Sequence, residues 1–393
     1  FESYVGGIAL WDNSVPATSN VATTDAGVNN TLPVRFSQDR DSVYYEIKDL
    51  FEVKLDLTDK FTGNGNEKIW QTDRESTGSA KCDAYIWAME KYIKTNLCNP
   101  YVMSNYADGW VGPDGFMPVN NLTPDGGRLG NGTVAHGGAI NWVDRALENT
   151  LMHRDYHVAE KAFFVDLATN DLIAPIDDPS QEAGTDSAVL AEILTEQNRR
   201  AVDGPIEIGG GNPWALKYSN HVQSGAATPG GGEGIASKFF TKYNVVWTPD
   251  SFGYANSSVY RLYEPTIKFS NKNAVRMRTE SNNAVLENKN YVMFYMGDYD
   301  AASWLNRSIP TMFSDPRLGD YPLCWPIIPI NEPRAAHVYE YMYENATSND
   351  YFVGGNNGYG YNYWSNYASS GREGLNGSLE DYIDIIGNYN KKY

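Results

Sequence analysis

Short apolar runs alternate along the chain with stretches whose apolar residues recur at helical spacing, and polar or glycine-rich turns divide them. Residues 5–11 read as a buried strand, and residues 21–27 as a short helix. Thr18, Ser19 and Asn20 are its N-cap candidates and Gly27 its C-cap candidate. Strands are expected at 34–36 and 52–57 on either side of a polar segment. Residues 79–95 carry a helical pattern that ends before Pro100. Residues 108–138 hold nine glycines and three prolines with no periodicity, which predicts a long loop or an inter-domain surface. A helix returns at 139–156.

From residue 161 the alternation becomes regular. Strand candidates fall at 162–167, 205–208, 244–248, 291–296, 323–328 and 351–353, with helices at 187–201, 233–243, 301–313 and 334–346. Strand then helix, repeated, predicts a parallel sheet with crossovers. The chain is therefore read as α/β: a smaller α/β N-terminal region over 1–150, then a β/α-barrel-like domain over 151–393, incomplete or distorted as barrels go. A doubly wound sheet is the alternative. In both, a site lies beyond the C-terminal ends of the strands. Asp166 stands there after the first run, Asn212 and Trp214 after the second, and Asp298 and Asp300 after the fourth. Trp325 sits inside the fifth run with Glu332 just past it, and Tyr359 and Tyr361 follow the last. Within 351–364 a strand runs into Gly354, Gly355, Asn356, Asn357 and Gly358, then Tyr359, Tyr361 and Tyr363 at alternate positions. If that stretch is extended, the three tyrosines point one way, as a ligand platform would require. The other reading is a tyrosine-rich core or interface.

Charge and composition narrow the partners. With 49 Asp and Glu against 31 Lys and Arg in 393 residues, the net charge of −18 argues against nucleic acid and anionic membranes. No apolar run reaches the 18 or so residues of a membrane span. Three cysteines make no disulfide framework. Cys82 and Cys98 bracket one expected helix, roughly 24 Å apart, and cannot pair. Abundant aromatics (10 Trp, 28 Tyr, 14 Phe) and Asn-x-Ser/Thr triplets at Asn29, Asn121, Asn131, Asn256, Asn306, Asn345 and Asn376 favour a secreted, periplasmic or cell-surface location. The start at Phe1, without Met or a signal segment, reads as a front lost to processing or truncation.

Residues 358–363, GYGYNY, combine with WDNSVPATSNVATTDAGV (11–28), KAFFVDLATNDLIAPIDDP (161–179), GNPWALKY (211–218), YANSSVY (254–260) and FYMGDYDAASWL (294–305). In this order they resemble the GxGYxYP family, a group assigned to glycoside hydrolysis from its architecture and its company with sugar-processing domains. Gly358, Gly360, Tyr361 and Tyr363 stand at the fixed motif positions, and Trp364 replaces the final proline. The resemblance implies a β/α-barrel-like C-terminal domain behind smaller α/β domains, and a saccharide ligand. It transfers no nucleophile or acid.

Those roles are argued from the residues. Glycoside hydrolysis usually takes two carboxylates, one protonating the leaving oxygen and one acting as nucleophile or base. Asp298 and Asp300 are the first candidates, since two residues along an extended chain lie about 6.6 Å apart on one side. Capping the next helix or holding a cation is their alternative. Glu233, Glu332 and Asp166 are candidate partners, with Glu233 at a helix N-terminus where the dipole favours its charged form. Trp214, Trp304, Trp325, Tyr359 and Tyr361 offer faces for sugar stacking, and Asn212 a polar contact. Trp325, inside an apolar run, is equally a core residue. His153 and His157 share a helix face, but Arg154 stands where a zincin has Glu. The glycine runs lack a phosphate-loop ending, and no Gly-x-Ser-x-Gly elbow occurs. The expectation is a glycoside hydrolase without cofactor. Its rivals are a saccharide-binding protein on a degenerate barrel and a metal-dependent polysaccharide deacetylase.

Overall fold

The computed structural model describes residues 4–105, 154–172, 174–175, 178, 180–210, 233–248, 256–269, 285–297 and 301–393. Strands β1 (Gly7–Trp11), β2 (Thr31–Arg35) and β3 (Val53–Asp56) form a parallel sheet in the order β2-β1-β3. Helix α1 (Ala17–Asn29) joins β1 to β2 and is buried over almost its whole length. Its caps differ from the expected ones. Thr18 lies inside the helix, where its hydroxyl donates to Val15 O (2.7 Å) and accepts the Asp12 N–H (2.8 Å). The helix ends on Asn30, left-handed at φ 57°, whose N–H donates to Ala26 O. Gly27 serves packing instead, because a Cβ there would meet Val158 O at 2.8 Å.

After α2 (Val43–Ile47) and β3, helix α3 (Ala80–Ala88) continues into a π turn over Met89–Ile93. Cys82 and Cys98 lie at its two ends, and all three cysteines are free and buried. Then comes β4 (Val102–Asn105), α4 (Arg154–Ala159), β5 (Phe163–Val165), α5 (Thr185–Arg200), β6 (Ile206–Gly209), α6 (Glu233–Lys242) and β7 (Val245–Thr248). These strands make a second parallel sheet in the order β5-β4-β6-β7, drawing strands from both sides of residue 150. The order reverses between β4 and β6, as in a doubly wound sheet. Side chains alternate between its faces: Ile206, Ile208, Val245 and Trp247 join the core under α3, α5 and α6, whereas Val246 joins the next core.

That core belongs to a third, smaller unit. Beyond α7 (Ser257–Tyr260) and α8 (Ala302–Phe313), β8 (Leu323–Ile327) pairs in parallel with β9 (Asp350–Gly354), separated by α9 (Glu332–Asn345). The run expected at 291–296 contributes a parallel bridge from Tyr295 to Cys324. Leu305, Ile309, Trp325, Ile327, Val338 and Tyr339 fill the space between these strands and helices. Helix α10 (Leu379–Lys392) closes the chain. It opens on a capping box in which Ser378 and Asp381 satisfy each other's backbone N–H groups. The described chain is thus mixed α/β with parallel sheets.

Candidate functional site

The C-terminal ends of β4 to β7 converge on a rim of buried polar residues: Asn105 ends β4, Asp166 follows β5, and Thr248 ends β7. This is the edge at which doubly wound sheets receive ligands. Asp166 is wholly buried there. His157 of α4 packs against β6, so close that a Cβ on Gly209 would stand 2.2 Å from its Nε2. Glu233 opens α6, whose first turn lies at this end. Asn212, Trp214, Asp298, Asp300, His153 and the side chain of Glu233 fall outside what the structure describes.

Behind the rim stands a cluster the sequence reading passed over. Arg334 of α9, fully buried, donates from Nη2 to Glu207 Oε1 of β6 at 2.5 Å. The Thr248 hydroxyl lies 3.3 Å from the same oxygen, and the Tyr156 hydroxyl donates to Oε2 at 3.4 Å. The guanidinium also sits 4.9 Å from the Tyr156 ring centroid. A signal for this cluster existed: Glu207 is a carboxylate between two isoleucines of a strand run, and a buried charge requires a partner.

The glycine–tyrosine motif forms a seam, and its tyrosines do not share a side. Asn356–Gly358 is a 3-10 turn and Tyr359 has φ −134°, ψ −42°, so the stretch is not one extended strand. Tyr359 packs in the third core against Tyr382 and Tyr389 of α10. Burial drives its phenol well above the ordinary tyrosine range, with the neighbouring Tyr389 and Glu207 adding to the effect. Tyr361 faces the other core: its backbone pairs both ways with Trp247 (3.1 and 3.3 Å) and its ring meets that indole edge-on. The Tyr363 N–H donates to Thr241 Oγ1 at 3.0 Å, and its ring lies along α6 beneath the Lys238 ammonium. Gly360 permits this seam, since a Cβ would stand 2.4 Å from Val246 Cγ1 and 2.9 Å from Ile330 Cγ2. Trp364, at the departed proline position, is exposed.

The remaining candidates separate. Glu332 heads α9 and accepts from the Lys392 ammonium of α10, so it and Tyr359 share one neighbour helix. Trp304 is half-buried on α8 against the third core. Trp325 is enclosed in that core, its indole N–H donating to Asp350 Oδ1 at 2.7 Å. A groove of about 330 Å³ lined by Val292, Met293, Phe294, Pro322, Cys324 and Tyr351 lies at the opposite end, where β8 and β9 begin. Among the described residues no group of three or more His, Cys, Asp or Glu is placed to hold a metal ion. No described helix is long and apolar enough to cross a membrane.

Parallel sheets whose strands are joined by helices define the class: an α/β protein. Residues 288–393 match the family model described as GxGYxYP putative glycoside hydrolase C-terminal domain. The resemblance read from the motif therefore holds over that stretch. The fold is similar to that of a putative hydrolase from Bacteroides thetaiotaomicron VPI-5482, with a TM-score of 0.53 and 16% sequence identity. The match covers all of this chain and 56% of that one, so the chain spans little more than half of that hydrolase. At such identity the likeness is one of fold. No curated protein matches in sequence.

Proposed function

We propose that this protein is a glycoside hydrolase acting on an extracellular, dietary or host polysaccharide or oligosaccharide through paired carboxylates. The observation that carries the reading is the family match over 288–393, which contains Asp298 and Asp300. In sequence both follow the segment whose Met296 N–H donates to Cys324 O of β8 (3.0 Å). One carboxyl protonates the departing glycosidic oxygen. The other attacks the anomeric carbon or activates a water, and Glu233 is the reserve partner. Asn212, Trp214, Trp304 and Asp166 are the candidate polar and stacking contacts for the sugar. No step calls for a cofactor.

The test is a glycan panel read twice, for new reducing ends and for bound saccharide. Released product supports the reading. Binding without product would make the protein a saccharide-binding module on the same fold, and neither would sink both.

A further inference from the structure

The buried Glu207–Arg334 pair belongs to neither strand-end rim, yet it joins them. Its surroundings come from separate elements: Thr248 of β7, Tyr156 of α4, and Asn331, whose Oδ1 lies 3.5 Å from Arg334 Nη2. Removing two charges from water costs about as much as their attraction returns, so apolar residues would serve equally well as adhesive. A hydrogen-bonded pair with a planar fork adds one fixed register. Its position makes that register matter. Glu207 stands two residues before Gly209, where the chain leaves β6 toward Asn212 and Trp214. Arg334 stands two residues after Glu332. Ile330, just before, donates its N–H to Tyr359 O (3.1 Å) and packs in one cluster with Val246 of β7. A slip of α9 along β6 would therefore carry Glu332 and Tyr359 past the β6 exit.

We propose that Glu207 and Arg334 are positioning residues that hold the two rims in the register a saccharide site needs. The proposal rests on the glycoside hydrolase reading. Three variants of the whole chain test it: Glu207→Gln, Arg334→Lys, and the double Glu207→Leu/Arg334→Met. Glu207→Gln should lower Tm by roughly 5–10 °C. Amide exchange should then quicken together in β6, β7 and the start of α9. The double variant should recover Tm to within about 3 °C, because its core is apolar again. On a glycan that the wild type cleaves, its kcat should still fall about 10- to 100-fold with KM changed less than about threefold. Arg334→Lys should fall between. A double variant with wild-type Tm and wild-type kcat overturns the proposal, as does exchange that quickens on one side of the pair only. A wild type that cleaves nothing defeats the hydrolase reading instead, and the exchange pattern still judges the pair even where the double variant does not fold.

Discussion

His337 shows how a single residue's surroundings decide its chemistry. Its ring stacks on Tyr260 at 4.6 Å and meets Tyr263 edge-on, and its Nε2 lies 2.6 Å from Asn306 Oδ1. Asn306 Nδ2 already donates to Ala302 O, so Oδ1 is the acceptor and Nε2 carries the hydrogen. Burial holds the His337 pKa below 6.5. The folded state thus prefers neutral imidazole. Its contribution is complete above the unfolded value near 6.5 and is lost as pH falls toward the lower folded value. Denaturant midpoints measured from pH 7.5 to 5 should decline below about 6.5, and more steeply for wild type than for His337→Gln. Equal slopes in the two proteins would contradict this. The same contact spends the Asn306 amide internally, although the triplet around it reads as a glycosylation acceptor. Spacing alone does not reveal that a side chain is already engaged. Trp325 is the converse: its apolar run allowed a core role, and its hydrogen bond to Asp350 explains how the indole N–H tolerates burial.

At the scale of elements, periodicity located most of the helices and strands that are described. Helices α5, α6, α8 and α9 and strands β1, β6, β7 and β8 fall within a few residues of their expected bounds. Several elements escaped, the short helices α2 and α7 among them. Strand β4, Val102–Asn105, is four residues long and half polar, so it shows no apolar run even though every residue is buried. Helix α10 follows a glycine-rich turn, and its signal lay in the Ser378–Asp381 box and in Tyr382, Ile386 and Tyr389 at helical spacing. The motif was legible as glycine and tyrosine but not as a seam, because close backbone approach leaves no trace in hydropathy. Its glycines make a sharp prediction. Gly360→Ala should destabilise by about 1–3 kcal/mol through overpacking against Val246 and Ile330. Gly358→Ala should cost a similar amount, since φ is +92° and a Cβ would stand 2.8 Å from Ile386 Cγ2. Chemical denaturation measures both, and unchanged midpoints would mean that the seam is not close-packed.

For the whole molecule, strand–helix alternation was enough to read parallel sheets, and strand order was not. Which strand lies beside which depends on crossovers and on β4, and neither is written in local spacing. The candidate site was legible as residue types after strand ends. What joins those ends, the Glu207–Arg334 pair, spans 127 residues of sequence and could be seen only in three dimensions. Catalysis is assigned to two carboxylates, and turnover by wild type, Asp298→Asn and Asp300→Asn on a glycan the wild type cleaves tests that assignment. At least one substitution should lower kcat by about 100-fold or more while the thermal transition stays in place. Undiminished turnover in both variants would contradict it.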